Sequence, residues 1–302
     1  MSKESFQLGD LQRRRAELLG TEGQAWIDGL PDLISGLEQR WSIRVDSEMA
    51  GGTEALVLAA TTEDGLPVVL KLGQPGSLAR EISALEIAGG VGYAEMLAAD
   101  EASDAILLER LGPKLIDSGK AEPEQLEIVV QTVSRTWLRV ENPEPLMTGA
   151  EKARWHLDWL VTQWPALGEP CPQALIEQGI AFSREREAAF EAAASVLVHG
   201  DSHAWNMLSV PGDRSEFKLV DPDGYFMEPA YDMGISMREW IDEYLAGDAL
   251  KIGLARAARL GAMTGLPEAP IWQWGYIEVI STALVYSQLG EAALAAPYYD
   301  LA

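Results

Sequence analysis

Four polar side chains, His199, Asp201, His203 and Asn206, crowd into the eight residues that follow the apolar run Val196–Val198. A second apolar run, Phe217–Val220, ends on Asp221 and Asp223. Runs of this length bounded by Gly, Pro and Asp predict short buried strands. Acids at their ends then sit in loops on a rigid base. An acid, an amide five residues on and a second acid after the next strand suit magnesium-dependent phosphoryl transfer. One carboxylate accepts a hydroxyl proton, while the amide and the other carboxylate hold the ion that bridges the phosphates. A zinc hydrolase built on His199, His203, Asp201 and Asp221 is a competing chemistry. Gly200 inside the histidine pair argues against the helix that such a pair needs.

The chain that must position these groups has 302 residues, 47% of them hydrophobic, enough for one large domain or two lobes. Cys171 is the single cysteine, which excludes an internal disulfide and fits a reducing compartment. The start MSKESFQLGD lacks the apolar core of a signal peptide, and no apolar run is long enough to span a bilayer. A soluble cytoplasmic protein, monomer or homodimer, is the expectation. The net charge of −24, from 47 acids and 23 bases, argues against nucleic acid as a partner. A cationic substrate would profit from that charge, but on charge alone solubility or an acidic proteome is the favoured reading.

Residues 10–40 carry apolar positions at helical spacing, with Pro31 breaking the second stretch or starting a new helix. From Ser42 the period shortens. Ile43 and Val45, the glycine turn at Gly51, Gly52 and Thr53, then Leu56–Leu58 predict strand, turn, strand, and Pro67–Leu72 predicts a third strand after Asp64-Gly65. A glycine pair lets backbone approach a phosphate closely. Lys71 lies within the apolar third strand, where a lysine must find a counter-charge or snorkel. A helix opening at Ser77 offers Glu81 beside the stripe of Leu78, Ile82 and Leu85. Two further strands, Tyr93–Ala99 and Ala105–Leu108, lead to Gly112-Pro113, where the period changes again. The backbone around Glu109 and Leu111 can pair with a nucleotide base. Residues 1–110 therefore form one lobe and 111–302 a second, mostly helical one.

In the second lobe Pro123–Val140, Glu151–Trp164, Gln173–Ala194, Pro229–Leu245, Ala249–Met263 and Trp272–Leu289 read as helices. Trp155 and Trp159 share a face and are expected in the core. His156 has no acid or cysteine at ligand spacing and reads as structural. Glu239, Asp242 and Glu243 fall on one expected helix, with Glu239 and Glu243 on a shared face that a cation between them would stabilise. Asp300 and the terminal carboxylate are weaker acidic candidates.

The order of a glycine turn, a strand lysine, a helix glutamate, a linker, HGDxHxxN and DPDG resembles the aminoglycoside phosphotransferases. These are relatives of the protein kinases, and the likeness is nearest to their streptomycin 6-kinase and hydroxyurea-type branch. It runs from about Ile43 to Tyr286 and is sharpest at Val198–Asn206, Val220–Gly224 and Glu228–Asp232. It implies an α+β, two-lobed, protein-kinase-like fold with a small antiparallel-sheet lobe and a larger helical one. It also implies ATP and Mg2+, with the γ-phosphate passing to a hydroxyl of a small cationic molecule such as an aminoglycoside. On that likeness Asp201 is the catalytic base and Asn206 and Asp221 bind magnesium. Lys71, held by Glu81, contacts the α- and β-phosphates, His199 braces the loop, and Asp232 ties it down. Asp223 stands where many members of the branch carry lysine, which makes it a substrate-side acid here. Bulky Trp205 also departs from the pattern. The other readings are a housekeeping kinase for a sugar, amino alcohol or hydroxyurea-like molecule, and a nucleotide-binding pseudokinase.

Overall fold

Apolar residues at three- and four-residue spacing build α1 (Asp10–Leu18) and α2 (Thr21–Trp41) in the computed structural model, which describes residues 8–49 and 55–302. Pro31 does not break α2. Proline removes a hydrogen bond at a cost of about 3 kcal/mol. Leu30, Ile34 and Leu37 on either side are buried against a sheet, and each contributes about 1.5–3 kcal/mol, so burial wins.

That sheet comprises β1 (Ile43–Glu48), β2 (Leu56–Thr62) and β3 (Pro67–Leu72), followed after α3 (Ala79–Ala88) by β4 (Met96–Asp100) and β5 (Ala105–Glu109). All pairings are antiparallel in the order β1-β2-β3-β5-β4. The glycine turn with Gly51, Gly52 and Thr53 lies outside the described residues. Leu70 and Leu72 join the core under α2, so the period of two turns Lys71 to the other face. Ser77 is not the cap of α3. The carboxylate of Asp104, from the β4–β5 turn, instead accepts from Gly76 N at 2.7 Å and Leu78 N at 3.0 Å.

Contacts divide the chain into two compact units, one ending at Gly112 and the other starting at Pro113. The second begins with α4 (Glu122–Ser134), β6 (Met147–Thr148), α5 (Gly149–Ala166) and α6 (Gln173–Ala188). The expected helix to Val140 stops short because the Leu138 carbonyl accepts from Leu197 N at 2.8 Å. Leu197 belongs to β7 (Val196–Val198), which pairs antiparallel with β10 (Tyr225–Met227), itself parallel to β6. Between them β8 (Met207–Val210) and β9 (Asp213–Leu219) form a hairpin.

The remaining helices are α7 (Ala230–Met237), α8 (Ile241–Leu245), α9 (Ala249–Thr264), α10 (Glu268–Gln288) and α11 (Ala292–Leu301). α7 and α10 approach closely at Gly234 and Gly275, where a Cβ would come within 2.7 Å of Trp274 and 2.5 Å of Met237 respectively. The expected continuous helix over Pro229–Leu245 is two helices, broken where Trp240 takes φ 51. Arg256 Nη1 donates to the Glu239 carbonyl at 2.6 Å, removing it from the helical ladder. Glu239 therefore does not share a helix face with Glu243. Trp155 and Trp159 do stack, at 5.5 Å between centroids, but Trp155 is 43% exposed, so the pair is not the core element expected of it.

Candidate active site

In the first unit Lys71 on β3 and Glu81 on α3 meet as a buried pair. Lys71 Nζ donates to both carboxylate oxygens, at 2.7 and 2.6 Å. The two side chains are 9% and 8% exposed. Removing one member of a buried ion pair is strongly destabilising, so Glu81→Ala should lower stability by about 3–5 kcal/mol. Urea unfolding measures this, and an unchanged midpoint would mean that water reaches the ammonium. At the end of the unit Glu109 N donates to Glu95 O at 2.9 Å, and Leu111 is buried.

In the second unit the loop from β7 to β8 carries His199, Asp201, His203 and Asn206. Gly200 takes φ 93, and a Cβ there would lie 2.6 Å from the Tyr225 ring and 2.8 Å from Asp223 Cβ. Only glycine fits this turn. Asp232, fully buried at the start of α7, holds the loop down. Its carboxylate accepts from Gly200 N (3.0 Å), His199 N (3.2 Å) and Trp137 Nε1 (3.1 Å), and its carbonyl accepts from Ser202 Oγ (3.2 Å). Burial pushes the Asp232 carboxyl up, while the donors from His199, Gly200 and Trp137 oppose that rise.

His199 joins this loop to the end of β9. Its Nδ1 accepts from Asp201 N at 3.1 Å, so the ring proton belongs on Nε2, which donates to the Val220 carbonyl at 2.9 Å. Both ring nitrogens are thereby used, and neither is left for a zinc ion. Among the described residues no group of three or more His, Cys, Asp or Glu is arranged to hold a metal. Asn206 Nδ2 donates to the Asp201 carbonyl and to Oδ2, at 3.0 and 3.1 Å. Its amide oxygen therefore faces away from Asp201. Asp221, just past β9, is exposed and takes φ 59. An amide oxygen and a carboxylate suit a hard cation that takes its other ligands from water and phosphate.

Asp201 is engaged on both oxygens. Arg238 Nη2 donates to Oδ1, and His203 Nε2 lies 3.0 Å from Oδ2 beside Asn206. Burial would raise this carboxyl, but His203 and Arg238 outweigh it and hold Asp201 well below the usual carboxylate range. A carboxylate has about four lone-pair sites. Two donors face Oδ2 and one faces Oδ1, so the open site is on Oδ1. Asp201 can therefore accept one further hydrogen bond while staying ionised.

The acids predicted for a substrate divide. Glu243 lies 3.2 Å from Arg256, which also contacts Glu122 at 3.4 Å, so its charge is already compensated. Asp242 is exposed on α8. Glu239 is half-buried, and burial pushes its carboxyl up, with His203 and Arg238 opposing and the charge of Asp201 adding. Asp223 accepts from Tyr225 Oη at 2.7 Å, and Tyr225 Oη accepts from buried Lys152 at 2.9 Å. Lys152 thus brings a cation toward Asp223 from α5. Neither Arg238 nor Lys152 stands out in the sequence, since each meets its partner across tens of residues.

A family model described as aminoglycoside/hydroxyurea antibiotic resistance kinase matches residues 40–284. A streptomycin 6-kinase of Streptomyces glaucescens is 28% identical over 282 residues, covering 92% of this chain and 90% of that protein. A hydroxyurea phosphotransferase of Kitasatospora aureofaciens is 27% identical over 279 residues, covering 91% and 78%. Among solved structures, amicoumacin kinase hAmiN in complex with AMP-PNP, Ca2+ and Ami has a TM-score of 0.60 at 14% identity, covering 93% of this chain and 95% of that one. The antiparallel-sheet unit and helical unit are thus those of the protein-kinase-like fold. With the match spanning most of its length, the chain belongs to the aminoglycoside/hydroxyurea antibiotic resistance kinase family.

Proposed function

We propose that the protein transfers the γ-phosphate of ATP to a hydroxyl of a small cationic acceptor, an aminoglycoside such as streptomycin. The observation that carries this reading is Asp201, ionised and fixed on three sides, with one lone pair open on Oδ1. An acceptor hydroxyl donating there is oriented for attack and gives up its proton to the carboxylate as its bond to phosphorus forms. Asn206 and Asp221 would hold Mg2+, whose chemistry is to neutralise charge on the phosphate oxygens. Lys71, steadied by Glu81, would contact the α- and β-phosphates. His199 braces the loop through Asp201 N and Val220 O. Leu111 and the backbone around Glu109 are the candidate contact for the base, with Gly51, Gly52 and Thr53 near the phosphates. The relatives named streptomycin 6-kinase support the acceptor, and the AMP-PNP and Ca2+ of the amicoumacin kinase complex support nucleotide and divalent metal.

On the acceptor side Glu239 is the best-placed acid. It is half-buried near Asp201, whereas Asp242 is exposed and Glu243 is matched by Arg256. Glu239→Gln should raise KM for a cationic acceptor several-fold, about 1 kcal/mol, with KM for ATP unchanged. The assay is ATP consumption across aminoglycosides, sugars, amino alcohols and hydroxyurea. Strong stimulation by streptomycin-like cations alone is the expected result. Preference for a neutral acceptor, with no effect of Glu239→Gln, would favour the housekeeping-kinase reading, which the hydroxyurea phosphotransferase relative also supports. We further propose a cytoplasmic enzyme acting as monomer or homodimer. No helix among the described residues is long and apolar enough to cross a membrane.

A further inference from the structure

Arg238, at the end of α7, is shared between two carboxylates. Its Nη2 donates to Asp201 Oδ1, while Nη1 donates to Glu278 Oε2 at 2.8 Å and to Thr282 Oγ1 at 3.3 Å. Glu278 is 5% exposed on α10, and its Oε1 accepts from the buried Tyr231 hydroxyl. His156 Nε2 lies 3.0 Å from the same oxygen, and His156 Nδ1 is 2.9 Å from Ser281 Oγ. One side of the guanidinium is therefore fixed to the α7–α10 contact, where Gly234 and Gly275 bring the helices together.

The other side decides how Asp201 points. The terminal torsion of an aspartate is broad and roughly two-fold, so one anchored oxygen does not set the plane of the carboxylate. Asn206 and His203 both address Oδ2. Arg238 alone, among the described residues, donates to Oδ1, and its planar fork fixes direction as well as distance.

We propose that Arg238 is a positioning residue that transmits the rigidity of the Glu278 cluster to Asp201 and sets the plane of its carboxylate. The open lone pair of Oδ1 is thereby aimed at the acceptor hydroxyl. The aim of that lone pair rests on the reading of Asp201 as the base, but the orientation of Asp201 does not.

Crystal structures of the full chain and of Arg238→Ala test the orientation directly. Asp201 should keep one conformer in the parent and lose it in the variant, and an unchanged conformer in the variant overturns the proposal. In kinetics with MgATP and streptomycin, Arg238→Ala should lower kcat about 10- to 100-fold, as a small misplacement of a reacting group does. KM for ATP should stay as in the parent, and added methylguanidinium should restore part of kcat in the variant only. A purely structural role would instead lower the melting temperature, leave kcat per folded molecule unchanged and show no rescue. Should Arg238→Ala fail to fold, Arg238→Lys serves, since an ammonium lacks the planar fork. A parent-like kcat in that variant overturns the proposal, and a reduced kcat at parent KM for ATP supports it. A parent protein that transfers phosphate to no acceptor refutes the phosphotransferase reading instead, and the Asp201 conformer then decides the role of Arg238 alone.

Discussion

Asp201→Asn should lower turnover by about two to four orders of magnitude, the usual consequence of losing a general base. The substitution keeps the shape of the side chain, so the loop held by Asp232 stays in place. What changes is charge and acceptor capacity. The amide offers one oxygen where the carboxylate offers two, and it faces donors from Arg238, Asn206 and His203 on both sides. One of these donors must then go without an acceptor, and the acceptor hydroxyl loses its place on Oδ1. Because His203 and Arg238 already hold Asp201 well below the ordinary carboxylate range, its proposed role is mainly to orient the hydroxyl, with proton acceptance late in the step. MgATP affinity, read by calorimetry, should be unchanged, since the metal is assigned to Asn206 and Asp221. Turnover within a few-fold of the parent would remove Asp201 from the mechanism.

The second large effect is expected at Asp221. Asp221→Ala should weaken magnesium-dependent nucleotide binding by about 100-fold, close to 3 kcal/mol, the upper range for a hydrogen bond or contact to a charged group. Nucleotide binding without magnesium should change little. This contrast separates a metal ligand from a structural acid, because a structural acid would affect both conditions alike. Unchanged affinity for MgATP in the variant would contradict the metal assignment. Asn206 is a poorer discriminator, since its amide also donates to Asp201 and its loss would disturb both functions.

The parts of the molecule that were legible in the sequence are those in which chemistry and local period coincide. Alternation in β3 marks Lys71 as a buried cation, and the next helix supplies Glu81 ten residues away, so the observed pair follows from local order. The segment from His199 to Asn206 is similarly compact. Three features were not legible, each for the same physical reason. Asp104 caps α3 from 26 positions away, displacing Ser77 from that role. Arg256 takes the Glu239 carbonyl from 17 positions away and interrupts a helix that no glycine or proline marks. Arg238 reaches Asp201 across 37 positions and Glu278 across 40. In all three a distant charged side chain competes with backbone or local partners, and no short pattern encodes that competition. Pro31 is the converse case, in which a strong local signal yields to the burial of its neighbours.

Asp221 occupies left-handed backbone, at φ 59, without being glycine. An L-residue pays about 1 kcal/mol for this conformation, and glycine or asparagine tolerates it better. Both replacements are one nucleotide change from an aspartate codon, and either would remove the carboxylate assigned to the metal. At this position the backbone conformation alone favours either replacement, while the proposed metal role opposes both. If the proposed acceptor is a toxic compound, a lineage no longer exposed to it should be free to change here, since the backbone conformation does not itself require aspartate. Retention of aspartate in left-handed backbone is what the proposed metal role predicts.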